Sequence, residues 1–192
     1  TANSGLTEFD VIYTVKVKNY DTLALSTVSV TENLMNVFPL PVTFTIIQTP
    51  TLTGGSGIVP NSGFSGSLDT DLTESTSSLA AKDSAEIRFM VRFTPNGFFG
   101  PFSNTVSATA STSLSGTTSD VSNNGLHPDP DGDGNPVNNN EPTVFTLSPQ
   151  LFFGLTKTGS YVKLQDNSYD VSYTVTVHNL GNDTLHSVDV ID

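Results

Sequence analysis

Apolar and polar residues alternate with a period of two in two long stretches of the chain. Residues 9–17 place five apolar side chains at every second position, interrupted on the polar side only by Ile12, and residues 85–93 repeat the pattern with Met90 as the one apolar residue on the polar side. This alternation predicts strands with one face in a core. β-branched and aromatic residues predict further strands, and no amphipathic helix is evident. These strands are predicted at 25–31, 42–49, 103–112, 143–147, 151–158, 169–179 and 187–191.

Clusters of Gly, Pro and Asn separate these stretches. They lie at 53–57, 61–66, 94–97 and 100–101, and such residues favour tight turns. Short strands joined by turns, with no helices between them, favour two packed antiparallel sheets. The predicted fold is therefore an all-β, immunoglobulin-like antiparallel β-sandwich.

The chain contains an internal repeat. Residues 9–32 align without gaps on residues 169–192, and ten of the 24 pairs are identical at an offset of 160 residues. This period is long enough for each unit to be a domain, which predicts tandem repeats. We expect residues 1–148 to form one unit that lacks its first strand, and residues 149–192 to form the first strands of the next unit. The first unit should then expose a strand edge that can pair.

Composition limits the possible partners. The net charge is −12 and there is no Cys, so a disulfide framework is excluded and binding to nucleic acid or to an anionic membrane surface is disfavoured. No run of about 18 apolar residues is present, so direct membrane insertion is not expected. The expected partners are neighbouring repeat units of the same chain, and other cell-surface proteins or glycans.

An acidic loop at 119–142 carries the clearest chemical signal. Asp129, Asp131, Asp133 and Asn135 fall at every second position, with glycines between the last three. Ca²⁺ takes six to eight oxygen ligands, and this spacing lets a short loop supply most of them. We predict a Ca²⁺ site whose coordination is completed by residues from the two limbs of the loop, namely Asp120, Asn124 and Glu141.

The loop is not an EF-hand. Position twelve, counted from Asp129, is Asn140 rather than Glu, and Pro128, Pro130 and Pro136 forbid flanking helices. A calcium loop between two strands fits better, and Mg²⁺ fits less well because it prefers strict octahedral geometry with retained waters. The alternative is a solvated acidic linker without metal.

No catalytic motif is present, and we predict that the protein is not an enzyme. The three histidines are His127, His178 and His186; the last two are replaced by Lys18 and Ser26 in the other copy, which indicates surface positions. The sequence has no nucleophile elbow, phosphate-binding loop or zinc-protease motif.

Three Asp-hydroxyl-apolar triplets resemble the O-glycosylation pattern of exported Bacteroidota proteins. They make Thr22, Ser84 and Thr184 candidate sugar acceptors, with a plain turn before a strand as the alternative.

Several motifs resemble a known family. The segments LTKTGSY (155–161) and DVSYTVTVHNLGNDTLHSVDVID (170–192) look like the opening of the bacterial cell-surface conserved repeat domain. SNTVSATA (103–110) and residues 119–143 resemble its later part. This family occurs in large Bacteroidota surface proteins, including gliding-motility adhesins. The resemblance implies an extracellular protein on the outer membrane surface, exported by the type IX route.

Three functional hypotheses follow. The first is a structural tandem-repeat module of a large surface adhesin or filament, made rigid by Ca²⁺. The second is a ligand-binding or glycan-binding adhesin module. The third is an accessory domain of an exported hydrolase.

Overall fold

The fold is described from a computed structural model, which covers residues 8–112, 114 and 116–192. Antiparallel sheets dominate it, with 46% of the chain in strands and 4% in helix, so the protein is all-β. The described residues form two compact units, 8–147 and 148–192.

The described residues of the unit 8–147 contain eight strands. They are β1 (Phe9–Lys18), β2 (Leu25–Thr31), β3 (Thr43–Gly54), β4 (Ser84–Thr94), β5 (Phe102–Asn104), β6 (Ser107–Thr112), β7 (Gly116–Val121) and β8 (Thr143–Phe145). A four-residue helix, α1 (Leu34–Val37), follows β2, and a 3-10 turn (Pro136–Asn138) lies in the acidic loop.

These strands form three antiparallel sheets. The first has the order β1-β4-β3, the second β2-β6-β7, and the third joins β5 to β8. Strands β1 and β4 pair without interruption from Phe9↔Phe93 to Lys18↔Ser84. Since side chains alternate across a strand, this register directs the apolar residues of both strands to the same face.

The hydrophobic core lies against that face. All five alternating apolar residues of β4 are buried, from Ala85 to Phe93, and Val28 and Val30 of β2 join the same cluster. One end of the core is aromatic: the buried ring of Phe102 lies 4.8 to 5.6 Å from the ring centroids of four other phenylalanines, which are Phe38, Phe93, Phe98 and Phe145. Burial of these apolar faces is what holds this unit together.

The unit 148–192 is a hairpin of two long strands. β9 (Phe153–Lys163) pairs with β10 (Tyr169–Asn179) in an antiparallel register. Large apolar side chains on both strands are exposed, among them Phe153 and Tyr173. An isolated two-stranded hairpin is marginally stable in water, so this unit needs further packing partners.

The two aligned stretches adopt the same local structure. β1 and β10 start at equivalent residues, and each leads into a turn built by an asparagine. The side chain of Asn19 donates to the carbonyl of Leu23 (2.8 Å), and that of Asn179 donates to the carbonyl of Asp183 (2.8 Å). Each asparagine also accepts a hydrogen bond from the amide two residues ahead, at 2.9 and 3.0 Å.

One predicted strand is wrong and others differ in extent. Residues 187–191 are not a strand. Their counterpart β2 pairs with β6, whereas no strand pairs with residues 187–191 among the described residues. The predicted strand 103–112 is split into β5 and β6, while β3 runs further than the predicted 42–49. The alternation does not predict β7, because its sequence GTTSDV lacks apolar residues at every second position.

Candidate metal centre and a buried carboxyl group

The acidic loop wraps around the side chain of Asp129. Its two carboxylate oxygens accept hydrogen bonds from the amides of Gly132 (3.0 Å) and Gly134 (3.1 Å). Both glycines have a positive φ, 72° and 84°, which other residues rarely adopt. The glycines therefore allow the chain to curl back over Asp129.

This curl brings three carboxyl groups together. One oxygen each from Asp129, Asp131 and Asp133 lies within 4.8 Å of the others. Hydrogen bonds with Asp129 first, and with Asn139 as well, hold the pKa of Asp131 below its usual range. Carboxylates this close repel one another, and a bound cation would relieve that repulsion. The cluster could hold a metal ion.

Asparagines complete the surroundings of the cluster. Asp133 accepts from the amide of Asn135 (2.7 Å) and from the side chain of Asn138 (3.0 Å). The side-chain oxygen of Asn139 is buried and has no hydrogen-bond partner among the described residues. Asn139 thus offers an additional oxygen ligand beside Asp131, which the sequence does not single out. Its only signal there is its place in the run Asn138-Asn139-Asn140.

The other predicted ligands lie on the limbs of the loop. Asp120 and Glu141 do not belong to the carboxyl cluster. Asp120 is half-buried at the end of β7, which raises its pKa, and its carboxylate accepts from the amide of Val121. Asn124 accepts from the Thr143 hydroxyl (3.1 Å), a bond that ties the two limbs together. Coordination by Asp120, Asn124, Asn135 and Glu141 stays a prediction.

A second polar group lies in the core of the same unit. Glu32 is fully buried, and one of its oxygens, Oε2, accepts from the side-chain amide of Asn104 (2.9 Å). Burial raises the pKa of Glu32 to about 7, and the Asn104 bond only partly opposes the shift. Three buried atoms here have no partner in the described part of the chain: Glu32 Oε1, Asn104 Oδ1 and the Tyr13 hydroxyl.

No motif in the sequence marks this buried group. The sequence does contain an indication that Glu32 is buried. Val28, Val30 and Glu32 lie at every second position, so the side chain of Glu32, just after β2, points to the same inward face as the two valines. Burial, and then the charge of Glu32, raise the pKa of the Tyr13 hydroxyl.

An open groove of about 800 Å³ runs along β1 in the unit 8–147. One wall is the unbroken run from Ile12 to Thr22. The opposite wall comes from β6, β7 and the acidic loop, and Asn104 reaches the groove from β5. Residues on both faces of β1 line the groove, since every residue from Ile12 onward takes part. The groove therefore follows the edge of β1 rather than one of its faces.

The candidate sugar acceptors occupy different positions. Thr22 and Thr184 are exposed in equivalent turns, while Ser84 is half-buried as the first residue of β4. The backbone amide of each of these residues donates to the side chain of the preceding aspartate, which is the geometry of a plain turn. Glycosylation of these residues stays a prediction. His178 and His186 are exposed, as predicted, and His127 in the acidic loop is exposed as well.

Comparison with known proteins identifies no relative. No protein-family model matches this chain, and no similar curated protein or solved structure was found. In the described part of the chain, no helix has the length and apolar character needed to cross a membrane.

Proposed function

We propose that this chain belongs to a structural tandem-repeat module of a large exported cell-surface adhesin or filament, with immunoglobulin-like units made rigid by Ca²⁺. The recurrence of one strand and one asparagine turn at β1 and β10 carries this proposal. Identical residues in the two stretches form identical local hydrogen bonds, which is expected when the same domain is repeated along a chain.

The proposed role of Ca²⁺ follows from the composition of the acidic loop. The segment between β7 and β8 has few apolar residues and is largely exposed, so little burial opposes its conformational entropy. A cation bound by Asp129, Asp131 and Asp133, with Asn139 as a further ligand, would neutralise their repulsion. Metal binding to the folded loop adds directly to its stability.

The proposed location rests on composition and on the family resemblance of the sequence. A net charge of −12 and the absence of Cys suit a well-solvated surface protein held by core packing and cations. Neighbouring repeat units are the proposed partners, and export by the type IX route is proposed from the resemblance alone.

Calcium dependence can be tested by thermal melting and limited proteolysis of the whole chain. At a Ca²⁺ concentration about 100-fold above the dissociation constant, binding contributes about 2.7 kcal/mol. For a domain of this size that amounts to a rise of several degrees in Tm. We expect chelation to reverse the rise and to expose residues 120–141 to proteases.

The matched control is Asp131→Asn, which removes one charge from the cluster and leaves the core intact. We expect this variant to melt at the same temperature with Ca²⁺ and with chelator. If neither Ca²⁺ nor chelator changes the Tm and the cleavage pattern of the wild-type chain, the calcium part of the proposal is wrong. The repeat itself is tested separately, by looking for further copies at the same period in the full-length gene.

A further inference from the structure

Two asparagines in the chain are followed directly by glycine, Asn96 and Asn124. In such a pair the backbone nitrogen of the glycine can attack the side-chain carbonyl of the asparagine and close a five-membered ring. Intramolecular attack is favoured when the two groups are held close together, and glycine has no side chain to obstruct it. The surroundings of the two asparagines decide which pair reacts in the folded chain.

The two pairs have the same access and space. Asn96, Gly97, Asn124 and Gly125 are all exposed, and a Cβ atom placed on either glycine would meet no described atom within 4 Å. The backbone amides of both glycines donate to no acceptor among the described residues. Exposure and space therefore do not distinguish the two pairs.

The two asparagine side chains differ in the group that is hydrogen-bonded. Asn96 uses its nitrogen, since Nδ2 donates to the carbonyl of Pro41 (2.8 Å). Asn124 uses its oxygen, since Oδ1 accepts from the hydroxyl of Thr143 (3.1 Å), and its nitrogen has no partner in the described part of the chain. The fold thus holds the leaving nitrogen at Asn96 and frees it at Asn124.

A donor on the carbonyl oxygen also favours the attack. Negative charge develops on Oδ1 when the glycine nitrogen adds to the carbonyl carbon, and a hydrogen bond stabilises that charge more than it stabilises the neutral carbonyl. Thr143 is the first residue of β8, and pairing with β5 fixes its backbone opposite Asn104. The Thr143 hydroxyl is therefore positioned as a single oxyanion donor for Asn124.

We propose that Asn124 is a site of spontaneous deamidation promoted by the Thr143 hydroxyl, whereas Asn96 is protected. Solvent removes the proton from the Gly125 amide, the nitrogen attacks Cγ of Asn124, and a C–N bond forms. The C–N bond to Nδ2 then breaks, Nδ2 takes up a proton, and ammonia departs from a succinimide ring. Water opens the ring at either carbonyl carbon, which gives aspartate or isoaspartate. Water is the only co-reactant, and no oxidation or reduction takes place.

The modification changes the acidic loop. Either product adds one negative charge to a limb of the loop, and isoaspartate also carries the main chain through Cγ, which lengthens it by one methylene group. Hydrogen bonds at Asn124 and at Asn123, which accepts from the Glu141 amide (3.1 Å), tie the two limbs together. We expect isoaspartate to loosen this tie. The reaction needs no metal ion, so this inference and calcium binding can fail separately.

Peptide mapping by mass spectrometry, after incubation of the full chain in mildly alkaline buffer, tests the proposal. Each event replaces ammonia by water in the mass of one peptide. We expect modified Asn124 to accumulate about ten times faster than modified Asn96, less than a buried oxyanion donor contributes because Thr143 is exposed. In concentrated urea, which removes both hydrogen bonds, the two rates should become similar.

Variants at Thr143 separate the chemistry from the structure of the loop. Thr143→Val removes the hydroxyl and keeps the shape, so it should slow modification of Asn124 about tenfold and leave Asn96 unchanged. Thr143→Ser keeps a hydroxyl and should react like the wild type. If the hydroxyl only held the loop in place, Thr143→Val would free the loop and speed up the modification. Equal rates at Asn96 and Asn124 in the folded chain, or an unchanged or faster rate in Thr143→Val, would overturn the proposal.

Discussion

Replacing Glu32 by glutamine should make the unit 8–147 more stable at alkaline pH. Glu32 is fully buried, and its Oε1 atom has no partner among the described residues. A glutamine side chain has the shape of the protonated acid: its carbonyl can accept from Asn104 Nδ2, and its amide can donate to Asn104 Oδ1. The variant therefore keeps the neutral hydrogen-bonded pair at every pH.

The size of the effect follows from the pKa of Glu32. Its value rises from the ordinary 4.5 to about 7 in the folded chain. The folded state therefore binds more protons than the unfolded state between these values, and stability falls as pH rises through this window. Since one pKa unit corresponds to about 1.4 kcal/mol, the wild type should lose about 3 kcal/mol between pH 4 and pH 8 because of this group.

Urea unfolding of both chains at pH 4 and pH 8, followed by circular dichroism, measures this difference. We expect nearly equal free energies of unfolding at pH 4, and a variant about 3 kcal/mol more stable at pH 8. Glu86→Gln, on the surface beside Lys16 (3.9 Å), is the control and should show no comparable change. A difference between Glu32→Gln and wild type that is the same at both pH values would refute the reasoning.

Two further substitutions test the packing. Phe102→Ala removes a fully buried ring from the aromatic end of the core, and we expect chemical denaturation to show a loss of about 3–5 kcal/mol, whereas Phe153→Ala, at a side chain that is 66% exposed, should change little. Asn19→Ala removes a buried side chain whose amide donates to the carbonyls of Leu23 (2.8 Å), Leu79 (3.3 Å) and Ala80 (3.0 Å), so it should lower the free energy of unfolding by about 1–3 kcal/mol. Its matched control, Asn179→Ala, lies in the exposed turn of the hairpin and should have a smaller effect; equal losses would contradict the assigned roles.

The strands with strict alternation were predictable from sequence. β1 and β4 hold a period of two over their whole length, because each has one face in the core and one outside. β7 was not predictable in this way: Thr117, Thr118 and Ser119 carry no apolar signal, and pairing with β6 alone makes them a strand. Residues 187–191 show the reverse case: their apolar pattern predicts a strand, but in the described part of the chain no strand pairs with them.

The candidate sites also differ in how far the sequence alone predicts them. The spacing of Asp129, Asp131 and Asp133 is local, so the sequence by itself indicates that these carboxyl groups lie close together. The Glu32–Asn104 pair spans 72 residues, and only the folded structure, which brings the residue after β2 to the last residue of β5, reveals it. The groove along β1 likewise depends on which strand edges are left unpaired, a property of the whole topology.

Calorimetric titration of the chelator-treated chain with Ca²⁺ tests the central proposal most directly. We predict one binding event per chain in the wild type, its loss in Asp131→Asn, and weaker binding of Mg²⁺, because three carboxylates and a nearby amide oxygen suit a flexible oxygen cage. Absence of binding heat at millimolar Ca²⁺, or equal heats for the wild type and Asp131→Asn, would contradict it.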